Sequence, residues 1–288
     1  MAAPFPALTK TYHHASYPSV DPKRLELSAY GKVAIVTGGG GTIGTAIAKA
    51  LAEAGVKHVA LLGRKLESLT VTKAKLDSDY PTTKVSIYRT DITSRASVKS
   101  AFEKFHAEVD QPVDILISNA GYLSAVTQIA DADAEDWVAC INTNVIGSFY
   151  VAKEFISICS PSASIVNVSS AAAHVQVPGL SAYSCAKIAG AKLFEFLHSE
   201  HPQLRVFNLH PGMIDSDMNR KSGMPPLDDV NLAAHVTVWL CSSQADFLRG
   251  KFFWSNWDVD ELRAKAKQLE STPLITLSLE GWPFVDGN

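Results

Sequence analysis

The chain has 288 residues, of which 47% are hydrophobic and 19% charged, so it contains enough apolar material for the core of one large domain. Its formal net charge is −3 and it has no basic run, which argues against a nucleic-acid partner. No apolar stretch reaches the roughly 18 residues of a membrane span, and the N-terminal sequence lacks the apolar segment of a secretory signal. We therefore expect a cytoplasmic protein without nucleic-acid or membrane partners.

The cysteine and histidine positions argue against disulfide and metal sites. The four cysteines lie in segments of helical pattern without a Cys-x-x-Cys pair, at positions Cys140, Cys159, Cys185 and Cys241. Small buried thiols in a reducing compartment are expected, and Cys185 is expected to pack. The pair His13-His14 and the segment "HSEH" at 198–201 lack a third ligand at a recognisable spacing, so no metal site is predicted.

Short apolar runs alternate with longer amphipathic ones, a pattern typical of parallel strands joined by crossover helices. Strands are predicted to begin at Lys32, His58, Lys84, Val113, Ala163, Leu204 and Lys251. Helices are predicted for "GTAIAKALAEAG", "SRASVKSAFEKFHAEV", "DWVACINTNVIGSFYVAKEFISICS", "SAYSCAKIAGAKLFEFLHSE" and "NLAAHVTVWLCSS". The pattern indicates a single doubly wound α/β domain of about seven parallel strands over residues 30–255. Residues 1–29 are expected to form an N-terminal arm, and residues 256–288 a C-terminal tail.

The segment "VTGGGGTIG", residues 36–44, directly follows the first predicted strand and opens the first predicted helix. Consecutive glycines are costly on folding unless the backbone needs their freedom. At this position, free backbone N–H groups and the positive end of a helix bind the phosphates of a dinucleotide. A glycine-rich pattern alone occurs by chance, so its meaning depends on the residues further along the chain.

Several of those residues occur in the order and spacing of the short-chain dehydrogenase/reductase family. They are Thr37-Gly38, Gly44, Asn119-Ala120-Gly121, Ser170, Tyr183 with Lys187, and Pro211-Gly212. The resemblance covers roughly residues 31–253, and the segments "SVDPKRLELSAYGK" and "FFWSNWDVDEL" resemble a fungal branch of the family. It implies a Rossmann-type fold, a nicotinamide dinucleotide and the interconversion of a carbonyl and an alcohol. A homodimer or homotetramer is also expected.

The resemblance also implies a set of cofactor-binding residues: Gly38, Gly40, Gly41, Thr42, Ile43, Gly44, Asp91, Ile92, Asn119, Ala120, Gly121, Tyr183, Lys187, Pro211, Gly212, Ile214 and Ser216. Thr42 departs from the family, which has glycine at this position. Three interpretations are open. Either Gly41 takes over part of the role of the missing glycine in phosphate binding, or the Thr42 hydroxyl binds a phosphate directly, or the site binds its cofactor poorly. Asp91 resembles the residue that holds the adenine amino group. The alternative is an acid at a helix N-terminus, a role that Thr93 or Ser94 could fill instead.

Arg64 bears on the choice of dinucleotide. Gly63 stands where family members that prefer NAD carry an acid for the ribose hydroxyls, and Arg64 follows it. An acid would repel a 2′-phosphate, whereas a guanidinium can bind it in a bidentate manner. We therefore predict NADP(H) rather than NAD(H), with a solvated arginine at the start of a helix as the alternative.

Tyr183 and Lys187 are four residues apart on a predicted helix, so their side chains share one face. A phenol ordinarily ionises near pH 10. The Lys187 ammonium, together with the positive charge of an oxidised nicotinamide, is expected to lower the pKa of Tyr183. Tyr183 would then act as general acid or base.

Two further residues follow from the resemblance. Ser170 is implied to hydrogen-bond the substrate oxygen; Ser169 is the competing hydroxyl, and either one could instead cap the loop. Asn144 matches the asparagine that holds a water for a proton relay through Lys187. Asn142 lies nearby as an alternative, and a structural role in bending the helix stays open.

The substrate is expected to be a small apolar or aromatic ketone or alcohol. The predicted pocket walls are Tyr122, Leu123, Val175, Val177 and Met213, with Met218 or Met224 as a further member. His174 either faces the substrate or lies in an exposed loop. The alternatives to redox chemistry are a non-redox step on the same fold (dehydration, isomerisation or cyclisation) and a catalytically silent dinucleotide-binding regulator.

Overall fold

The computed structural model describes residues 5–279; residues 1–4 of the predicted arm and 280–288 of the predicted tail lie outside this range. Seven strands form one sheet in the order β3-β2-β1-β4-β5-β6-β7, with every neighbouring pair parallel. The strands are β1 (Val33–Thr37), β2 (His58–Gly63), β3 (Lys84–Arg89), β4 (Val113–Ser118), β5 (Cys159–Val168), β6 (Arg205–His210) and β7 (Phe252–Trp254). The predicted doubly wound parallel sheet is confirmed.

Ten α-helices accompany the strands in the described part of the chain. They are α1 (Thr42–Glu53), α2 (Leu66–Asp79), α3 (Arg95–Val109), α4 (Ala134–Ile141), α5 (Ser148–Ile156), α6 (Ser181–Glu200), α7 (Asp217–Ser222), α8 (Val230–Leu240), α9 (Val259–Ala264) and α10 (Ala266–Ser271). None of the helices between residues 5 and 279 has the length and hydropathy that a membrane crossing requires.

The core consists of two apolar layers, one on each face of the sheet. Along β1, Ala34 and Val36 belong to the layer that includes α1 and α8, whereas Val33 and Ile35 belong to the layer formed with α3, α5 and α6. Both faces of the central strands are thus buried, which explains their continuous apolar runs. The strand order reverses direction between β1 and β4, so a crevice opens at the carboxyl ends of these two strands.

One helix was missed, and another differs in form and length from its prediction. Helix α2 was not predicted, because it buries only Leu69, Thr72 and Leu76 and its apolar face is therefore narrow. The long helix predicted from Asp136 is divided into α4, a π-helical turn over Asn142–Gly147, and α5. Its predicted end is also wrong, since Cys159 begins β5.

The expectation of four buried thiols in helices is wrong in part. Cys140 and Cys241 are buried, but Cys185 is exposed on α6 and Cys159 is only half-buried. Cys185 does not pack as expected, because the face of α6 that carries Tyr183 and Lys187 points inward and Cys185 lies between them on another face.

The arm and the tail contact each other within the described residues. An antiparallel bridge joins Tyr12 to Trp257, and the His13 backbone N–H donates to the Asn256 carbonyl at 2.8 Å. The edge of the Phe5 ring packs on Trp254, with ring centroids 5.6 Å apart. The arm therefore lies on the side of the sheet where β7 ends. The boundaries at residues 29 and 256 stay predictions.

Candidate active site

The glycine run forms the turn between β1 and α1 at the crevice. Gly38 has a φ of +67°, which glycine adopts without strain. A Cβ at Gly44 would collide with the Gly38 carbonyl oxygen, so Gly44 lets the first turn of α1 pack on the turn below it. These two glycines are required by the fold itself.

Gly41 differs, because a Cβ there would meet only the Gly38 carbonyl oxygen, at 3.4 Å. It is the N-cap of α1 and has no side chain with which to cap the helix. Thr42 follows as the first helical residue and is exposed, and its hydroxyl has no hydrogen-bond partner among residues 5–279. The N-terminus of α1 therefore offers unpaired N–H groups and a free hydroxyl to the crevice, the arrangement that binds phosphate. Ile43 is half-buried against the core.

The ends of β1 and β4 are held together by polar contacts. Thr37 Oγ1 accepts from the backbone N–H groups of Asn119 and Ala120, at 2.9 and 3.0 Å. The Asn119 side chain donates to the Thr37 carbonyl at 2.9 Å. This pairing fixes the spacing between the glycine turn and the segment that ends at Gly121, so both walls of the crevice are rigid.

Asp91 lies beyond the end of β3, and one of its two carboxylate oxygens is engaged locally. Its Oδ1 accepts from the Thr93 N–H and hydroxyl at 2.9 and 2.8 Å. Ser94, not Asp91, is the N-cap of α3. Asp91 Oδ2 has no hydrogen-bond partner in the described part of the chain, so it can accept from a ligand such as an amino group. The neighbouring Ile92 is buried against Gly147.

Arg64 is exposed at the end of β2, and within residues 5–279 it takes part in no ion pair or side-chain hydrogen bond. The contact with Asp136 is the main cause of a raised pKa of the Tyr122 phenol, and the positive charge of Arg64 opposes that rise. Arg64 directly follows β2, the strand next to β1, and its exposed guanidinium is available to an anion. Gly63 leaves no acid beside it.

Tyr183 and Lys187 lie on one face of α6, both at most 9% exposed. Lys187 Nζ donates to the Val168 carbonyl at 2.9 Å and lies 5.5 Å from the centre of the Tyr183 ring. Burial raises the pKa of Tyr183, with a hydrogen bond from Ser170 opposing the rise, and burial lowers the pKa of Lys187 to about 8. Burial thus sets the direction of the Tyr183 pKa in the protein alone, and the expected lowering of that pKa by Lys187 together with an oxidised nicotinamide stays a prediction.

Ser170 and Ser169 occupy different environments. Ser170 Oγ accepts from the Ala172 N–H at 3.2 Å and also reaches the Tyr183 phenol. Ser169 is buried, and its backbone N–H donates to the Leu209 carbonyl, so its hydroxyl points into the protein. Ser170 both caps the loop and faces the tyrosine, which leaves Ser169 as a structural residue.

Asn144 lies in the π-helical turn, a feature frequent at functional sites. Its amide donates to the Tyr122 and Cys140 carbonyls at 2.7 and 2.8 Å and accepts from the Tyr122 N–H at 3.2 Å. A Cβ on Gly121 would lie 3.0 Å from Asn144 Oδ1 and 3.6 Å from Lys187 Nζ. Asn144 is therefore next to the lysine, whereas Asn142 is exposed.

The segment after β6 covers these side chains. Pro211 and Gly212 lead into Ile214, which is buried, and Ser216, which is the N-cap of α7. On α7, Met218 Sδ lies 3.6 Å from the Tyr183 hydroxyl, which donates to it. Lys221 Nζ donates to the Leu123 carbonyl at 2.6 Å and lies 4.8 Å from the centre of the Tyr122 ring. Helix α7 thus covers Tyr183 and contacts the opposite wall.

Most of the predicted pocket walls come together around the tyrosine in one apolar cluster: Tyr122, Leu123, Val177, Met218 and Met224. Val175 belongs instead to the main core layer, so its prediction was wrong, and Met213 is outside the cluster. Trp137 and Leu180 join the wall and were not predicted. His174 accepts from Trp254 Nε1 at 3.0 Å, which ties it to the end of β7.

A dinucleotide fits this set of residues. The uncapped N-terminus of α1 and the bare backbone at Gly41 suit a pyrophosphate, and the free Oδ2 of Asp91 suits an amino group. Lys187 and Tyr183 stand at the other end of the crevice, beside Gly121.

Comparison with known proteins agrees with the geometry. Residues 32–225 match the family model for short chain dehydrogenases. A short chain dehydrogenase/reductase of Claviceps purpurea is 32% identical over 92% of this chain and 91% of its own length. The crystal structure of NAD+-bound xylitol dehydrogenase superposes with a TM-score of 0.70 at 26% identity, over 78% of this chain and 98% of that one. Levodione reductase has the same fold, with a TM-score of 0.74 at 21% identity, covering 78% and 96%.

The chain belongs to the short-chain dehydrogenase/reductase family. The expected likeness to a fungal branch is also confirmed, since relatives from Claviceps and Aspergillus match it over more than nine-tenths of its length. It is an oxidoreductase of a family that binds a nicotinamide dinucleotide and acts on small molecules.

Proposed function

We propose that the protein interconverts a carbonyl and a secondary alcohol on a small apolar substrate, with NADP(H) as cofactor. The observation that carries this proposal is the buried pair Tyr183 and Lys187, with the half-buried Ser170 beside it, next to Asn144 and beneath α7. A silent regulator has no need for an acid/base phenol within an apolar cluster. A non-redox step on the same fold is the second candidate, favoured by Thr42 in place of the family's glycine and by Ser118 in place of the family's commoner asparagine.

In the proposed mechanism the dinucleotide supplies or accepts the hydride. Tyr183 donates its phenolic proton to the carbonyl oxygen in reduction and accepts a proton in oxidation. The Ser170 hydroxyl, already in contact with the phenol, hydrogen-bonds the same substrate oxygen and stabilises its developing charge. Lys187 stabilises the tyrosinate. Asn144, which like Lys187 lies beside Gly121, supports proton transfer to and from the lysine.

The proposed preference for NADP(H) rests on Arg64. Its guanidinium is exposed and uncommitted in the described structure, and Gly63 presents no acid to repel a 2′-phosphate. The xylitol dehydrogenase of similar fold was crystallised with NAD+, so the fold itself does not require NADP(H). We therefore expect the residues after β2 to decide between NADP(H) and NAD(H).

The substrate class follows from the wall above Tyr183. Tyr122, Leu123, Trp137, Val177 and Met224 present aromatic and aliphatic surface, which suits an apolar or aromatic ketone or alcohol. We also propose a homodimer or homotetramer in the cytoplasm. Exposed apolar side chains on α5 and α6, namely Phe149, Ile188 and Phe196, are compatible with contacts between subunits.

The test mixes the protein with NADPH or NADH and a panel of aromatic and aliphatic ketones, and follows cofactor oxidation. We expect oxidation with NADPH and a lower dissociation constant for NADPH than for NADH. A charge-assisted bidentate contact corresponds to roughly ten- to a hundredfold in affinity, and added salt should narrow the gap.

Variants of Arg64 make this test specific. Arg64→Ala should weaken NADPH binding but not NADH binding, with Lys65 limiting the loss. The matched control is Lys75→Ala, which removes one exposed positive charge from α2 about 15 Å further along the helix. A wild-type preference for NADH would refute the role of Arg64, and cofactor binding without oxidation by any ketone would favour the non-redox alternative.

A further inference from the structure

Asp228 is a buried carboxylate in the segment between α7 and α8, its side chain only 3% exposed. Three donors from distant parts of the chain converge on it. Its Oδ2 accepts from the Met213 backbone N–H at 2.6 Å, and its Oδ1 accepts from His14 Nδ1 at 2.6 Å and from Asn256 Nδ2 at 2.9 Å. Within residues 5–279, His14 is its only ion-pair partner.

The carboxylate holds the turn that follows β6. Gly212 has a φ of +98°, and a Cβ there would lie 2.6 Å from Asp228 Oδ2, so the carboxylate packs directly on the bare backbone of the turn. The backbone N–H groups of Leu227 and Asp228 both donate to the Met213 carbonyl, at 2.8 and 3.1 Å. Asp228 therefore fixes the backbone from Gly212 to Met213, immediately before the segment that covers Tyr183.

The arm supplies one of the three donors and is itself fixed at this point. The His14 carbonyl accepts from the Asp229 N–H at 2.8 Å, and Asn256 Nδ2 donates to the His13 carbonyl at 2.9 Å as well as to Asp228. His14, which lies 214 positions earlier in the chain, thus completes the hydrogen bonding of the Asp228 carboxylate at the edge of the site. A carboxylate this buried depends on each of its donors.

We propose that His14 and Asp228 are positioning residues, which hold the Pro211–Gly212–Met213 turn in place against the nicotinamide half of the bound dinucleotide. The arm then contributes to cofactor binding and does not only pack on the surface of the domain. This inference rests on the proposed function, because it requires that a nicotinamide dinucleotide occupies the crevice.

The first measurement uses the protein without cofactor and compares the hydrogen exchange of the Met213, Leu227 and Asp228 amides. His14→Ala should speed their exchange, whereas His14→Asn, whose Nδ2 can replace Nδ1 as donor, should restore protection. The matched control is His13→Ala. His13 is an arm histidine of the same 19% exposure that pairs with Asp258 at 2.9 Å, away from the turn. Equal effects of His13→Ala and His14→Ala on these amides would overturn the proposal.

The second measurement compares the binding of NADP+ with that of 2′-phospho-ADP-ribose, which lacks the nicotinamide. His14→Ala and Asp228→Asn should weaken NADP+ binding about tenfold and leave 2′-phospho-ADP-ribose binding unchanged, since under this proposal the turn supports only the nicotinamide half. Equal losses for both ligands would show a merely structural role and overturn this inference alone. If the wild-type chain bound neither these two nor NAD+, the proposed function would fail, and this inference with it.

Discussion

Lys187 should make the stability of the unliganded protein depend on pH in a way that can be calculated. Burial lowers the pKa of Lys187 from its ordinary value of 10.5 to about 8 in the folded protein. Between these two values the unfolded chain binds more protons than the folded one, so the free energy of unfolding rises with pH. Below pH 8 both states are protonated and the gain is absent. Integrated from pH 7 to pH 9.5, the rise is about 2 kcal/mol.

Urea unfolding of the wild-type chain and of Lys187→Met at pH 7 and pH 9.5 isolates the contribution of Lys187 to the free energy of unfolding. The contributions of the other titrating groups cancel in the difference between the two proteins. Relative to the variant, wild type should gain about 2 kcal/mol at the higher pH. Lys75→Met, which replaces an exposed lysine on α2, should show no such change. A difference between wild type and Lys187→Met that stays constant or shrinks with pH would show that the buried lysine is solvated in solution, contrary to its 8% exposure.

Two further predictions concern single side chains at the crevice. Tyr183→Phe keeps the ring but removes the phenolic proton, so turnover with a reducible ketone should fall at least about a hundredfold. NADPH binding, followed by fluorescence titration, should be unchanged. Substantial residual turnover would rule out Tyr183 as the acid. Because the Thr42 hydroxyl is exposed at an uncapped helix N-terminus, Thr42→Val should weaken NADPH binding about three- to tenfold and more than Thr42→Gly does. Tighter binding by Thr42→Gly than by wild type would show that the threonine crowds the pyrophosphate.

Much of the fold could be predicted because the local patterns agree with the tertiary structure. The strand from Lys84 to Arg89 and the strand from Val113 to Ser118 have the predicted bounds, since each is an apolar run ended by turn or polar residues. Helix α2 could not be recognised, because it lies at the surface next to the edge strand β3 and buries few side chains. The π-helical turn was missed for a different reason, since no periodic pattern marks a single extra residue in a helical turn.

The candidate site was predictable where its residues follow a strand or share one helix face, and not where it depends on contacts between distant segments. Ser170, Tyr183 and Lys187 meet as their spacing suggested. Nothing in the sequence pairs His14 with Asp228, or Lys221 with the Leu123 carbonyl, because these contacts arise only when the arm and the segment around α7 fold back over the sheet. Lys221 is one of two adjacent basic residues after a run of polar ones, which is equally typical of a solvated helix.

The pKa directions at Tyr183 and Lys187 bear on the reaction more directly than the motif does. The protein alone favours the neutral phenol, and it weakens the proton affinity of the buried lysine, so the pair is positioned but not activated. Under the proposed function the missing charge comes with the dinucleotide, whose oxidised ring is positive and whose reduced ring is neutral. The tyrosinate is then favoured when an alcohol is to be oxidised, and the phenol when a carbonyl is to be reduced. Under the proposed function, an acid/base group that stays neutral until a charged ring binds is suited to hydride transfer.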